Sequence, residues 1–176
     1  RLALMTHAAT DATRTASFPD DEPVSSVGQR DLAKAAPMTA DRVFVAPELR
    51  TRETAAGLGL DGVVDAALRD VDYATWRGLA MTSRQPGELT QWLTDPAAAP
   101  HGGESITQLI ERTRAWLDGL TPDTASVLAV THPAVARAAI VVTLDAPPES
   151  FWRIDIPPLS ITRLHWRGRW TLRQTG

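Results

Sequence analysis

His7 and His132 each stand where a short apolar run gives way to a turn, His7 after Leu2-Ala3-Leu4-Met5-Thr6 and His132 after Val127-Leu128-Ala129-Val130-Thr131. Histidine titrates close to neutral pH, so it serves as nucleophile, general acid or base, or metal ligand. Two of them at strand ends, far apart in sequence, can converge on one bound group, because the carboxyl ends of parallel strands line the ligand crevice of an open α/β sheet. A lone histidine beside an apolar run is more often structural. The repetition, with each histidine preceded by a threonine, weighs against two independent core residues, and the residues alone leave the two readings even.

Arg50 extends the pattern. It follows Ala46-Pro47-Glu48-Leu49 near the start of an expected helix after another strand, where a guanidinium reaches the same crevice and the helix N-terminus favours an anion. Arg52, beside Glu53, reads as part of a solvated helix face. The four histidines, His7, His101, His132 and His165, form no His-x-x-x-His, and no acid stands at a recurrent ligand spacing, so a metal site is weakly supported. A serine hydrolase lacks its Gly-x-Ser-x-Gly elbow. The chain holds no cysteine, which removes thiolate zinc sites, disulfides and cysteine nucleophiles.

These residues need a scaffold, and the chain is long enough to provide one. Its 176 residues, 43% of them apolar, predict one domain with a real core. A net charge of −3 with a pI near 5.8 gives no global positive field, so nucleic acid is not expected as a partner. The six tryptophans then read as packing rather than as a stacking platform. The stretch Ala134 to Leu144 is broken by Arg137 and falls short of the roughly 20 residues a membrane span needs. The start shows no basic segment, apolar run and cleavage site, which makes a cytoplasmic protein the expectation; the first residue is not Met, so a removed leader stays open.

The opening run to Met5 reads as a buried strand and Arg42 to Ala46 as a second, stopped by Pro47. Helices are expected over Ser26–Ala36 and about Leu49–Leu58, with an extended stretch over Val63–Val71. Residues 76–103, interrupted by Pro and Gly, read as an insertion with a helix around Glu88 to Leu93, either a cap over a site or a surface excursion. Ser105 and Gln108 make a capping box ahead of Ile106, Leu109, Ile110, Thr113, Leu117 and Leu120 on one helical face. A strand over Ser126–Val130, a helix opened by Pro133, and a hairpin of Leu159–Trp166 with Trp170–Leu172 complete an alternating α/β pattern.

Taken in order, these segments resemble the histidine phosphatase superfamily, the phosphoglycerate-mutase-like proteins. The family opens on Arg-His-Gly after a strand, and Thr6-His7-Ala8 followed by Thr10 is similar to it. Ala46-Pro47-Glu48-Leu49-Arg50-Thr51-Arg52-Glu53-Thr54-Ala55 resembles Ser-Pro-Leu-x-Arg-Ala-x-Gln-Thr-Ala. Leu68-Arg69-Asp70-Val71-Asp72-Tyr73-Ala74-Thr75-Trp76-Arg77-Gly78 resembles Leu-Arg-Glu-x-Asp-Phe-Gly-x-Trp-Glu-Gly. Gly102-Gly103-Glu104-Ser105 is intact, and Val130-Thr131-His132-Pro133-Ala134-Val135-Ala136-Arg137 is similar to Val-Ser-His-Gly-x-x-Ile-Arg.

The resemblance implies a three-layer α/β/α sandwich with a mostly parallel central sheet, one domain over 1–176, and the insertion at about 76–103 as a small cap. It implies phosphoryl transfer with no metal or other cofactor. His7 would attack phosphorus, Arg50 and His132 would hold the equatorial oxygens, and Asp70, at the family's acid position, would protonate the leaving alkoxide and then activate water. Thr6, Thr10, Arg14, His101 and Thr131 are the expected substrate contacts.

Several residues depart from the pattern. Thr6 stands where the family has the arginine that grips phosphate, and a lost charged hydrogen bond costs about 1.5–3 kcal/mol. Arg14 is the expected substitute, with Arg52 and Arg137 as others. Asp70 is one methylene shorter than glutamate, Ala8 replaces glycine, and Pro133 removes one N–H from a helix start. His101 reads as solvent-facing or as a substrate contact. The leading expectation is a phosphomonoesterase for a small phosphorylated metabolite; the other is a weak or inactive relative that binds a phosphorylated ligand or a protein. The hairpin carrying Trp166 and Trp170 offers an edge for a homodimer.

Overall fold

A computed structural model describes residues 1–120 and 125–176. Its elements are β1 (Leu2–Thr6), α1 (Asp11–Thr15), α2 (Ser26–Leu32), β2 (Arg42–Val45), α3 (Leu49–Gly57), β3 (Val63–Val64), α4 (Pro86–Thr94), α5 (Ile106–Gly119), β4 (Val127–Thr131), α6 (Pro133–Thr143), β5 (Ile161–Trp166) and β6 (Trp170–Gln174), with short 3-10 turns between some of them. Among the described residues the strands form one sheet in the order β3-β2-β4-β1-β5-β6. The first four run parallel, while β5 and β6 are antiparallel.

The continuous apolar runs become inner strands because both sheet faces are covered. Leu2 and Leu4 of β1 and Val127 and Ala129 of β4 point into the large core with α5 and α6. Val45 and Val130 point to the other face, beside Ala55 of α3. This is the expected mixed α/β architecture with helices on both faces. The capping box forms as its residues predict: Ser105 Oγ accepts from Gln108 N–H, and Gln108 Oε1 accepts from Ser105 N–H. Behind it, α5 buries Ile106, Leu109, Ile110 and Leu117, each contributing roughly 1.5–3 kcal/mol.

The stretch expected to be extended from Val63 to Val71 is shorter. Only Val63 and Val64 pair with β2. The Asp65 carboxylate then accepts the Ala67 N–H and turns the chain into a 3-10 turn over Ala66–Leu68. α2 also ends at Leu32, before the expected Ala36.

Parallel pairing places the functional ends together. Thr6 of β1 is in register with Thr131 of β4, and Val45 of β2 with Val130. The residues that follow, His7, Ala46-Pro47-Glu48 and His132, therefore leave the sheet at one edge. The chain leaving β3 brings Asp70 to the same edge through its 3-10 turn.

Candidate active site

The two histidine rings meet edge to face, 5.2 Å apart between centroids. Backbone bonds tie down the turn at His7: His7 N–H donates to Thr131 O, and Leu159 N–H to His7 O. Ala8 N–H donates to Thr54 Oγ1 at 3.0 Å, which ties the turn to α3. His7 Nδ1 lies 2.8 Å from Ala8 O. A carbonyl only accepts, so the ring hydrogen sits on Nδ1 and the Nε2 lone pair is free. Burial, with the charges of His132 and Arg50 beside it, pushes the His7 pKa down to about 3. The ring is therefore neutral at pH 7, as a nitrogen nucleophile must be.

Arg50 is 2% exposed and donates through Nη2 to Asp70 Oδ2 at 2.7 Å. Its Nε and Nη1 have no hydrogen-bond partner among the described residues, and neither does His132 Nδ1. His132 Nδ1 lies 3.5 Å from Asp70 Oδ2, and its Nε2 lies 2.8 Å from Glu48 Oε2. Burial works to raise the Asp70 carboxyl, but the charges of His132 and Arg50 and the Val71 N–H outweigh it and hold it below the ordinary carboxylate range. The structure thus brings His7, Arg50, Asp70 and His132 together: Arg50 and Asp70 line a cleft of about 250 Å³, and the two histidine rings are buried against them. That cleft is lined by Asp20, Asp21, Glu48, Arg50, Asp70 and Tyr73, among others.

The expected substrate contacts fare differently. Thr6 Oγ1 donates to Pro157 O at 2.8 Å and accepts from Ser160 N–H at 3.0 Å, so its hydroxyl is consumed by the chain entering β5. Thr131 Oγ1 donates to Leu68 O at 2.8 Å and anchors the turn that leads to Asp70. Thr10 is buried and caps α1. Arg14 is not among the residues lining the cleft; it pairs with Asp11 at 3.4 Å on the exposed face of α1. Arg137 donates to Ile154 O and covers the Phe151 ring, and Arg52 is exposed. None of the three is placed as a stand-in for the missing arginine.

His101 is neither solvent-facing nor in the cleft. It is 1% exposed, packed against Trp76, Trp92 and Tyr73, and its Nδ1 accepts from Gly103 N–H at 3.0 Å.

Two functional side chains carried no role in the sequence reading. Glu48 binds both His132 and the Asp70 N–H, and its only signal was an acid at the motif's leucine position. Arg112 makes a double contact with Glu104, at 2.8 and 2.7 Å, and donates to Ala67 O and Arg69 O at 2.7 and 3.1 Å. It braces the segment that carries Asp70, and so gives the intact Gly102-Gly103-Glu104-Ser105 motif a structural purpose. Gly103 itself must be glycine, since a Cβ there would meet Asp72 O at 1.9 Å.

The family described as "Histidine phosphatase superfamily (branch 1)" matches residues 2–175. The chain belongs to this superfamily. It is 31% identical over 197 aligned positions to bifunctional protein Rv2228c of Mycobacterium tuberculosis, an alignment that covers all of this chain and 54% of that protein. The chain thus spans about half the length of the curated relatives it matches over its whole extent. Glucosyl-3-phosphoglycerate phosphatase of the same species is 32% identical over 65% of this chain and 57% of its own.

Among histidine phosphatase folds, the mycobacterial glucosyl-3-phosphoglycerate phosphatase complexed with VO3 superposes with a TM-score of 0.80 at 26% identity, covering 98% of this chain and 96% of that one. A phosphoserine phosphatase mutant from Entamoeba histolytica, in complex with phosphoserine, superposes at 0.88 and 17% identity over 99% of this chain and 95% of that chain, a likeness of fold. No helix among the described residues is long and apolar enough to cross a membrane.

Proposed function

We propose that this protein is a phosphomonoester hydrolase for a small phosphorylated metabolite, working through a phosphohistidine on His7 without a metal. The observation that carries the reading is the convergence of three buried nitrogens without partners, Arg50 Nε, Arg50 Nη1 and His132 Nδ1, around a neutral His7. Buried polar groups are normally satisfied, and an exception at a cleft floor marks where a ligand's acceptors belong. Three donors of this kind suit the oxygens of a phosphoryl group.

His7 Nε2 attacks phosphorus, the P–O bond to the leaving alkoxide breaks, and the alkoxide takes a proton. Asp70 supplies it. In the free enzyme Arg50 holds Asp70 ionised; a phosphate dianion competes for Arg50 and sets negative charge beside the carboxylate, which raises its affinity for a proton. Water then attacks the phosphohistidine with Asp70 taking its proton, releasing phosphate and neutral His7. Of the stretch 76–103 read as a cap, Arg77 lines the cleft.

One relative named above is called a glucosyl-3-phosphoglycerate phosphatase, which supports the substrate class. A second reading, a binding protein with little turnover, draws on the hydroxyl of Thr6, which is spent on backbone rather than offered to phosphate.

Phosphate release from a panel of phosphomonoesters, in chelator, decides between them. Turnover that survives chelation, disappears in His7→Ala and leaves acid-labile phosphate on His7 supports the hydrolase. No turnover across the panel, with inorganic phosphate still raising the melting temperature, would establish the binding protein.

A further inference from the structure

The cleft floor holds one carboxylate more than this reaction uses. Glu48 precedes α3, two residues before Arg50, at the position where the family motif has leucine. Its two oxygens reach two different segments: Oε2 lies 2.8 Å from His132 Nε2 at the β4–α6 junction, and Oε1 accepts the Asp70 N–H at 3.0 Å. One side chain therefore links three of the segments that build the site.

The chemistry of that link is directional. Burial works to raise the Glu48 carboxyl, but the hydrogen bond and charge of His132 and the Asp70 N–H outweigh it, leaving a carboxylate at neutral pH. A carboxylate can only accept, so the hydrogen in the contact with His132 belongs to Nε2. Nδ1 is left facing Asp70 and His7, buried and without a partner. With Nε2 already committed to Glu48, Nδ1 can donate to an oxyanion only when the ring carries its second hydrogen. The charged and titratable groups facing His132 are Glu48 and Arg50 from the start of α3, Asp70 from the segment after β3, and His7 from the end of β1. The two carboxylates lie on the two nitrogen-bearing sides of the ring.

We infer that Glu48 is a positioning residue for His132: it fixes the hydrogen on Nε2 and aims Nδ1 at the phosphoryl oxygens, where the doubly protonated ring donates. The Glu48–His132 pair then provides the second cationic donor that Thr6 does not. This rests on the phosphatase reading only in taking the oxyanion to be a phosphoryl group.

Glu48→Gln and Glu48→Leu test it, with p-nitrophenyl phosphate as substrate from pH 5 to 9 and with nitrogen-15 spectra of the histidine rings, with and without orthovanadate. Glu48→Leu is expected to lose about 30- to 100-fold in kcat with KM changed less than threefold. Glu48→Gln, which keeps an acceptor but no charge, should lose about tenfold. In both, the alkaline limb of the kcat profile moves to lower pH. With vanadate bound, the unaltered protein should show hydrogen on both ring nitrogens of His132, and the leucine variant on one only.

A leucine variant within threefold of the unaltered kcat, with the same alkaline limb and ring pattern, overturns the proposal. A fall in melting temperature with no change in limb or ring pattern also overturns it, since that would be a purely structural role. If the unaltered protein has no His7-dependent turnover, the phosphatase reading fails on its own. The ring spectra with vanadate then still decide the role of Glu48.

Discussion

His132 and His101 are both almost wholly buried, yet the two regions around them differ in every neighbour that counts. His132 sits between the carboxylates of Glu48 and Asp70, with one ring nitrogen left for a ligand. His101 also has one ring nitrogen, Nε2, without a hydrogen-bond partner among the described residues, but it sits among the rings of Tyr73, Trp76 and Trp92, where burial pushes its pKa down against the opposing charge of Asp72, and Nδ1 receives the Gly103 N–H. Carboxylates on two sides fix how an imidazole is turned; aromatic faces and a backbone N–H make it a neutral packing group. Burial alone says nothing about which of these a histidine will be.

The comparison breaks if the two regions respond alike to substitution. Arg50→Ala removes the main cation of the floor and frees Asp70 from its partner. It is expected to lower kcat/KM by about 100- to 1000-fold, measured as phosphate release, with the fold retained by circular dichroism. His101→Phe keeps the aromatic packing but strands the part-buried Gly103 N–H. Its expected signature is a stability loss of about 1–3 kcal/mol in urea, with kcat/KM within threefold of the unaltered protein. A tenfold loss of activity without a loss of stability would move His101 into the catalytic region.

The smallest effect is one of pH. His7 is held at about 3 in the folded protein and lies near 6.5 when unfolded. Above 6.5 both states are neutral and nothing is gained or lost. As pH falls below 6.5 the unfolded chain binds a proton that the folded chain refuses, so stability declines down to about pH 3. Between pH 7 and 5 this amounts to about 2 kcal/mol. Urea unfolding of His7→Ala should show a pH dependence shallower by that amount. An unchanged slope would mean that His7 is not neutral in the folded state.

Much of the scaffold was legible because it rests on local patterns. The apolar blocks of β1, β2 and β4 could hardly be anything but strands covered on both faces, and the Ser105 capping box announced α5. α1 is only five residues long and has no buried side chain, so it left no periodicity to read. The same limit applies to hydroxyls. Thr6 and Thr131 looked like phosphate donors from their place beside the histidines, but each is buried at a strand end and had to find an acceptor, and the nearest were carbonyls of Pro157 and Leu68.

Residue types and order by themselves determined which side chains leave the sheet at its carboxyl end, because His7, Arg50 and His132 each follow a short apolar strand. Tertiary structure decided what those side chains touch. Glu48 meets His132 across 84 positions, and Arg112 of α5 meets the carbonyls of Ala67 and Arg69 across 45 and 43. Contacts between distant segments depend on register, rotamer and the competition of every buried polar group for a partner, and none of these is written in a local pattern.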